Sequence, residues 1–179
     1  MKLFGGGKPD HPLADPMEAR RLLEALPADD AKAVEELMHW IESVVAAEGF
    51  KPEARIQLLM MLDDAAQPRL RKLSKEYFGA LRPSRFLENR LWTVLHGFWK
   101  QAAYAYARAI DLFVQRAKGV DAAKGQLPLL LARTLRCFGQ QIKWMHMRYG
   151  PIDLASWGVF NSVYAYAEAR QLAQAKVDI

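Results

Sequence analysis

The chain has 179 residues, of which 51% are hydrophobic and 25% charged, with one cysteine, Cys137. Folding at this length buries roughly 70% of the unfolded surface without a covalent staple, and a lone cysteine excludes an intramolecular disulfide and any multi-cysteine zinc site. No apolar run approaches the roughly 18 residues of a membrane span, and the N-terminus lacks the apolar stretch of a signal peptide. We therefore expect a soluble, cytoplasmic protein.

The net charge of +5 is unevenly distributed along the chain. Residues 1–66 carry 7 basic and 13 acidic side chains (net −6), whereas residues 67–150 carry 16 and 4 (net +12). Such asymmetry indicates an anionic partner, or acidic N-terminal helices that pack beside basic middle ones. The second interpretation is favoured, because the basic residues are spread over the middle segment.

The N-terminal part predicts a tail and two helices. Residues 1–14, with three consecutive glycines and two prolines, predict a flexible tail. The Asp-Pro pair at 15–16 predicts the start of a short helix that ends before Pro27. A second helix is expected from Asp29, with apolar residues at three- and four-residue steps, to just before Gly49.

The middle of the chain predicts longer helices. A third helix starts at Pro52, and Pro68 either kinks it or starts a separate helix that ends near Phe78. A periodic stretch then runs from Pro83 to about Lys118, long enough for a helix of about 50 Å.

The C-terminal part predicts two more helices, one from Pro128 to Tyr149 and one from about Asp153. No segment alternates between apolar and polar residues as a strand would. The sequence therefore predicts an all-α fold: a single-domain bundle of six or seven mostly antiparallel helices, with one long central helix, over residues 15–176.

A helical signature of aromatic and polar residues occurs twice. Trp92, Leu95, His96 and Trp99 have the same spacing as Trp157, Phe160, Asn161 and Tyr164. Such ridges are typical of helix packing, and a protein-binding groove is the alternative. The candidate packing or interaction aromatics are Trp92, Trp99, Trp144, Trp157 and Tyr164.

No pattern of catalytic or metal-binding residues is apparent. The four histidines are not spaced for a shared metal ion, so no metal or cofactor is expected. The adjacent carboxylates Asp29-Asp30, Glu35-Glu36 and Asp63-Asp64 diverge by about 100° on a helix and are expected to be caps or solvated groups. Cys137 is expected to pack in an apolar helix. A site assembled from scattered residues, such as His96, Tyr104 and His146, would be the enzymatic alternative.

The candidate for contact with an anion is a basic segment around Pro68, where free backbone amides can add to the positive charge. Its side chains are Arg69, Arg71, Lys72, Lys75, Arg82 and Arg85. Nucleic acid is not the expected ligand, because no helix-turn-helix, zinc-finger or RNA-recognition pattern accompanies the charge.

Several C-terminal motifs resemble a known family. They are Arg136, Lys143-Trp144, Arg148-Tyr149-Gly150-Pro151, Trp157 and Tyr164 to Glu168. This pattern is similar to the N-terminal helical region of a group of bacterial proteins, some of which end in a PilZ domain that binds cyclic di-GMP. The resemblance covers about residues 82–170 and implies a helical module that precedes a sensory or regulatory domain.

The PilZ ligand signature, an R-x-x-x-R arm and a D/N-x-S-x-x-G strand, is absent, so no nucleotide-binding residue is carried over. The polar ending at Ile179 would suit a truncation of a longer protein at that point. We expect a non-enzymatic interaction or regulatory module whose partner is another protein or a missing C-terminal domain. The alternative is an anion-binding module that uses residues 69–85 to hold a nucleotide or nucleic acid.

Overall fold

The structure, a computed structural model, describes residues 11–79, 84–116 and 127–149. A 3₁₀ turn at Pro12–Ala14 precedes five α-helices: α1 (Pro16–Glu24), α2 (Asp30–Ala46), α3 (Pro52–Gly79), α4 (Arg85–Arg116) and α5 (Leu127–Tyr149). The all-α prediction is confirmed across these ranges, which contain no strand. The predicted count of six or seven helices is too high for them, because Pro68 starts no separate helix; the helix expected from Asp153 lies outside the described residues.

Short polar side chains cap the helix N-termini as the sequence predicts. The Asp15 carboxylate accepts a hydrogen bond from Met17 N at 2.9 Å, and the Asp29 carboxylate accepts one from Lys32 N at 2.8 Å. Each cap satisfies a backbone N–H that has no partner within its helix. Gly49, in the loop after α2, has φ 86°, a left-handed conformation that glycine adopts without steric cost.

The α3 helix continues through Pro68. Proline has no N–H to donate and its ring crowds the preceding turn, which costs about 3 kcal/mol in a helix interior. Pro68 is exposed, whereas Ala66, Leu70 and Leu73 around it are buried. We infer that burial of apolar side chains on both sides of Pro68 offsets the missing hydrogen bond.

The α4 helix is the central element of the packing. It contacts α2, α3 and α5, and α2 also packs against α3. One apolar cluster includes Leu37 of α2, Leu62 of α3, Phe98 of α4 and Trp144 of α5, all nearly inaccessible to solvent. Within the described ranges no helix is long and apolar enough to cross a membrane.

The acidic N-terminal part contacts the basic middle part directly. Asp30 of α2 forms ion pairs with Arg69 at 3.1 Å and Lys72 at 3.4 Å, and Asp29 pairs with Arg90 of α4 at 3.1 Å. Part of the charge asymmetry is therefore neutralised inside the fold, as the favoured interpretation predicts.

Candidate functional site

The most concentrated polar chemistry of the described residues surrounds Asp63. The Asp63 side chain is completely buried. One carboxylate oxygen accepts a hydrogen bond from Gln67 Nε2 at 2.6 Å. The other accepts from Tyr106 Oη at 2.8 Å, from Arg133 Nη1 at 3.0 Å and from Arg136. We call Asp63, Gln67, Tyr106, Arg133 and Arg136 the Asp63 cluster.

Three helices build the Asp63 cluster. Asp63 and Gln67 lie one turn apart on α3, Tyr106 lies on α4, and Arg133 and Arg136 lie one turn apart on α5. Arg133 also forms a bidentate pair with Asp64, at 2.9 and 3.3 Å. Two carboxylates therefore balance two guanidinium groups, which offsets the desolvation cost of a buried charge.

The expectation that adjacent carboxylates are caps or solvated groups is confirmed for Asp29 and Asp64 and wrong for Asp63. Asp29 is a cap and Asp64 is exposed, but Asp63 is buried. The 100° turn between neighbours explains the difference, because it directs one carboxylate to solvent and the other to α4 and α5. A usable signal existed, since Asp63 interrupts the apolar stripe of Ile56, Leu59, Ala66 and Leu70.

The electrostatics of the Asp63 cluster favour a structural role. Burial, together with the negative charge and hydrogen bonding of Asp63, raises the pKa of Tyr106 well above its usual value. Burial, followed by the charge of Asp63, raises the pKa of Cys137 to about 12. A protonated thiol is a poor nucleophile, and both Asp63 oxygens accept from protein side chains, so the cluster clamps α3, α4 and α5 together.

The basic segment is only partly available to a ligand. Arg69 donates to the Pro27 carbonyl and to Asp30, both at 3.1 Å, and Lys72 is paired with Asp30. Arg71, Lys75 and Arg85 are exposed. Arg82 lies outside the described residues. The structure thus places three of the six candidates in solvent and two beside an acidic partner.

The aromatic candidates on α4 and α5 pack at different depths. Trp144 and Trp99 are buried, whereas Trp92 is half-buried and donates from Nε1 to the Trp144 carbonyl at 2.7 Å. Arg136 lies over the Trp99 ring at 5.8 Å. The second copy of the signature, with Trp157 and Tyr164, lies outside the described residues.

The residues of the enzymatic alternative, His96, Tyr104 and His146, do not form a site. His96 stacks on Trp92 with 4.6 Å between ring centroids, and burial, followed by the charge of Lys100, lowers its pKa. Tyr104 is exposed and lies eight residues further along, about 12 Å by helical rise. His146, on α5, is also exposed.

A cleft of about 470 Å³ lies between the α2–α3 loop and α4, lined in part by Arg55 and Arg108. Arg55 donates to the carbonyls of Val45 and Ala47, both at 2.7 Å, and so caps the end of α2. Within the ranges described above, no three histidine, cysteine or acidic residues converge as metal ligands.

Comparison with known proteins identifies the family. No curated protein and no solved structure matches the chain. One family model does match, over residues 17–179, and it describes the N-terminal domain of the cyclic-di-GMP receptor FimW. This match confirms the resemblance to an N-terminal helical region that precedes a PilZ domain in longer proteins. Over residues 17–179, the chain belongs to the family of FimW N-terminal domains.

Proposed function

We propose that this chain is a non-enzymatic, cytoplasmic interaction module of a cyclic-di-GMP signalling protein. The observation that carries the proposal is the family match, because it extends over residues 17–179 and names the N-terminal domain of a cyclic-di-GMP receptor. In this proposal the domain acts by contacting another protein or another domain of the same protein.

The placement of the reactive side chains supports the absence of catalysis. The Asp63 carboxylate accepts hydrogen bonds from side chains on three helices, and Cys137 is buried with a pKa of about 12. His96 is stacked on an indole, and its lowered pKa favours the neutral ring. Each of these groups has a packing role, whereas general acid–base catalysis needs a group that can reach a substrate proton.

The test is co-purification from the source cell with a tagged full chain. We expect a protein partner to be retained by the wild type and by Asp64→Asn, an exposed substitution that leaves the core intact. Asp63→Asn should lose the partner, because it removes the charge that holds α5 to α3. Failure of the wild type to retain any protein, or substrate turnover that one substitution abolishes, would overturn the proposal.

A second candidate function is anion binding by the basic segment. The observation in its favour is the exposure of Arg71, Lys75 and Arg85 on adjoining parts of α3 and α4. Phosphate groups would displace counterions from these side chains, and affinity would fall as salt rises.

Charge reversal separates the two functions. If residues 69–85 bind cyclic di-GMP or an oligonucleotide, Arg71→Glu with Lys75→Glu should abolish binding, and each lost phosphate contact should lower the salt slope by about 1. The matched control is Arg20→Glu, an exposed arginine on α1. Binding that survives the double reversal would exclude this segment as the site.

A further inference from the structure

Three helix termini lie at one end of the bundle: the end of α3, the start of α4 and the end of α5. Tyr77 and Phe78 of α3 contact the Trp144 ring of α5, with 5.0 and 5.7 Å between ring centroids. Trp92, about two turns into α4, donates a hydrogen bond to the Trp144 carbonyl at 2.7 Å. Side chains from all three termini therefore share this end of the bundle.

Large apolar side chains at this end are exposed to solvent. Phe86, in the first turn of α4, is 79% exposed, and Phe78, at the end of α3, is 54% exposed. Met147, one turn after Lys143 on α5, is 36% exposed. A single exposed apolar residue is common, whereas several beside polar residues mark a contact with a protein or a membrane.

Cations surround these apolar side chains. The last turn of α3, the first two turns of α4 and the last two turns of α5 carry only two acidic side chains, Glu76 and Glu88, and Glu88 accepts a hydrogen bond from Tyr77. Four exposed basic side chains of this end form no ion pair with any described residue. We call these four cations and the two phenylalanines the end surface: Lys75, Phe78, Arg85, Phe86, Lys143 and Arg148.

We propose that the end surface binds the anionic surface of a lipid bilayer. Phe78 and Phe86 enter the boundary between headgroups and acyl chains, where apolar side chains are removed from water. The four cations lie at the level of the lipid phosphates, because the long stems of lysine and arginine cover apolar surface while their charged ends remain in a polar medium. Such binding requires no membrane-spanning helix. It goes beyond both functions proposed above, since the partner is a lipid surface.

The side chains of the end surface favour lipid over nucleic acid and over protein. The Phe78 ring already contacts Lys143 Nζ at 5.2 Å and the Trp144 ring, tilted by 33°, so it is not a free platform on which a base could stack. Lysine is depleted in protein–protein interfaces, yet Lys75 and Lys143 supply two of the four cations. Phenylalanine, unlike tyrosine or tryptophan, has no polar group to orient a partner, and an apolar medium is sufficient to bury it.

Charge and burial both contribute to binding. Each lysine or arginine close to an anionic bilayer increases partitioning about fivefold, so four cations amount to roughly several hundredfold. Salt screens this attraction within a Debye length, and binding should therefore weaken as salt rises. Burial of the two phenyl rings supplies the second signal that stable attachment to a membrane surface requires.

Co-sedimentation of the full chain with unilamellar vesicles tests the proposal. We expect binding to vesicles of phosphatidylcholine and phosphatidylglycerol in equal amounts, and no binding to phosphatidylcholine alone. Lys143→Glu combined with Arg148→Glu should weaken binding at least about twentyfold, because two cations are lost and two anions are gained. The matched control is Lys32→Glu on α2, an exposed cation away from this end, which should leave most of the binding intact.

The apolar contribution is tested by Phe78→Ser combined with Phe86→Ser. These substitutions keep every charge, and they should weaken vesicle binding at least about tenfold. They should leave any affinity of the basic segment for cyclic di-GMP or an oligonucleotide unchanged, which separates this proposal from anion binding. The matched control is Met17→Ser on α1, at a side chain that is 77% exposed. An unchanged melting temperature shows that each variant is folded.

A fluorescent label provides a readout that does not depend on loss of binding. In a Cys137→Ala background, an environment-sensitive fluorophore on Phe86→Cys should shift its emission to shorter wavelength with anionic vesicles, and the same label on Met17→Cys should not. Equal binding to neutral vesicles, binding that survives either double substitution, or a label at residue 86 that stays in water would overturn the proposal. An oligonucleotide bound with the same dependence on Phe78 and Phe86 would also overturn it, in favour of nucleic acid.

Discussion

Replacing the buried Asp63 by asparagine is the sharpest test of the structure. Asparagine keeps the shape but removes the charge and one of the two acceptor oxygens. Arg133, 16% exposed, would then keep its ion pair with Asp64, whereas Arg136, 39% exposed, would lose the carboxylate with which it pairs. Removing one partner of a buried ion pair typically costs about 3–5 kcal/mol, a large part of the roughly 5–15 kcal/mol that stabilises a domain.

The assay is urea unfolding followed by far-UV circular dichroism, together with a thermal scan. At about 2–4 °C per kcal/mol for a chain of this size, the melting temperature should fall by roughly 6–20 °C. Asp64→Asn is the matched control, because Asp64 is 60% exposed and Arg133 would keep its pair with Asp63, so no buried charge is left without a partner. Equal, small effects of the two substitutions would refute burial of Asp63. A cycle with Arg136→Met measures their coupling directly.

Three further predictions concern α3, α4 and α5. Pro68→Ala should raise the free energy of unfolding by up to about 3 kcal/mol, because alanine restores a helical N–H without steric conflict; unchanged or lower stability in urea would contradict this reasoning. The lowered pKa of His96 means that the unfolded chain binds a proton first as pH falls below about 6.5. The contribution of neutral His96 to the free energy of unfolding should therefore be fully present above that pH and decline below it. His96→Asn should make this decline shallower. The control His39→Asn, at an exposed site, should change it less. Because burial raises the pKa of the Cys137 thiol to about 12 and restricts access to it, Cys137 should react with a disulfide reagent at least about tenfold more slowly than in the unfolded chain; a comparable rate in the two states would show that the thiol is accessible.

The sequence predicted the local structure of the described part well. Apolar residues at helical spacing, with Asp15 and Asp29 before the helices, identified α1 and α2 because these signals act within one or two turns. The long α4 was predicted for the same reason. Pro68 was less informative, since its local effect on a helix is opposed by apolar burial on both sides, which depends on distant residues.

The Asp63 cluster could be anticipated only in part. A carboxylate on the apolar stripe of α3 signals burial, but nothing local identifies its partners, because Tyr106, Arg133 and Arg136 are 43 to 73 residues away. The basic segment shows the same limit. Its charge is evident from composition, whereas the pairing of Arg69 and Lys72 with Asp30 depends on how α2 packs against α3.

The helices, their caps, the uneven charge and the family resemblance follow from the amino-acid sequence alone, because each depends on residue types at short spacing. Packing between helices determines which charges are neutralised, which aromatic rings are buried and which remain exposed near the end of α5. Those outcomes follow from contacts between helices that are far apart in the chain, where the cost of removing a charge from water is offset only by a partner brought there by the fold.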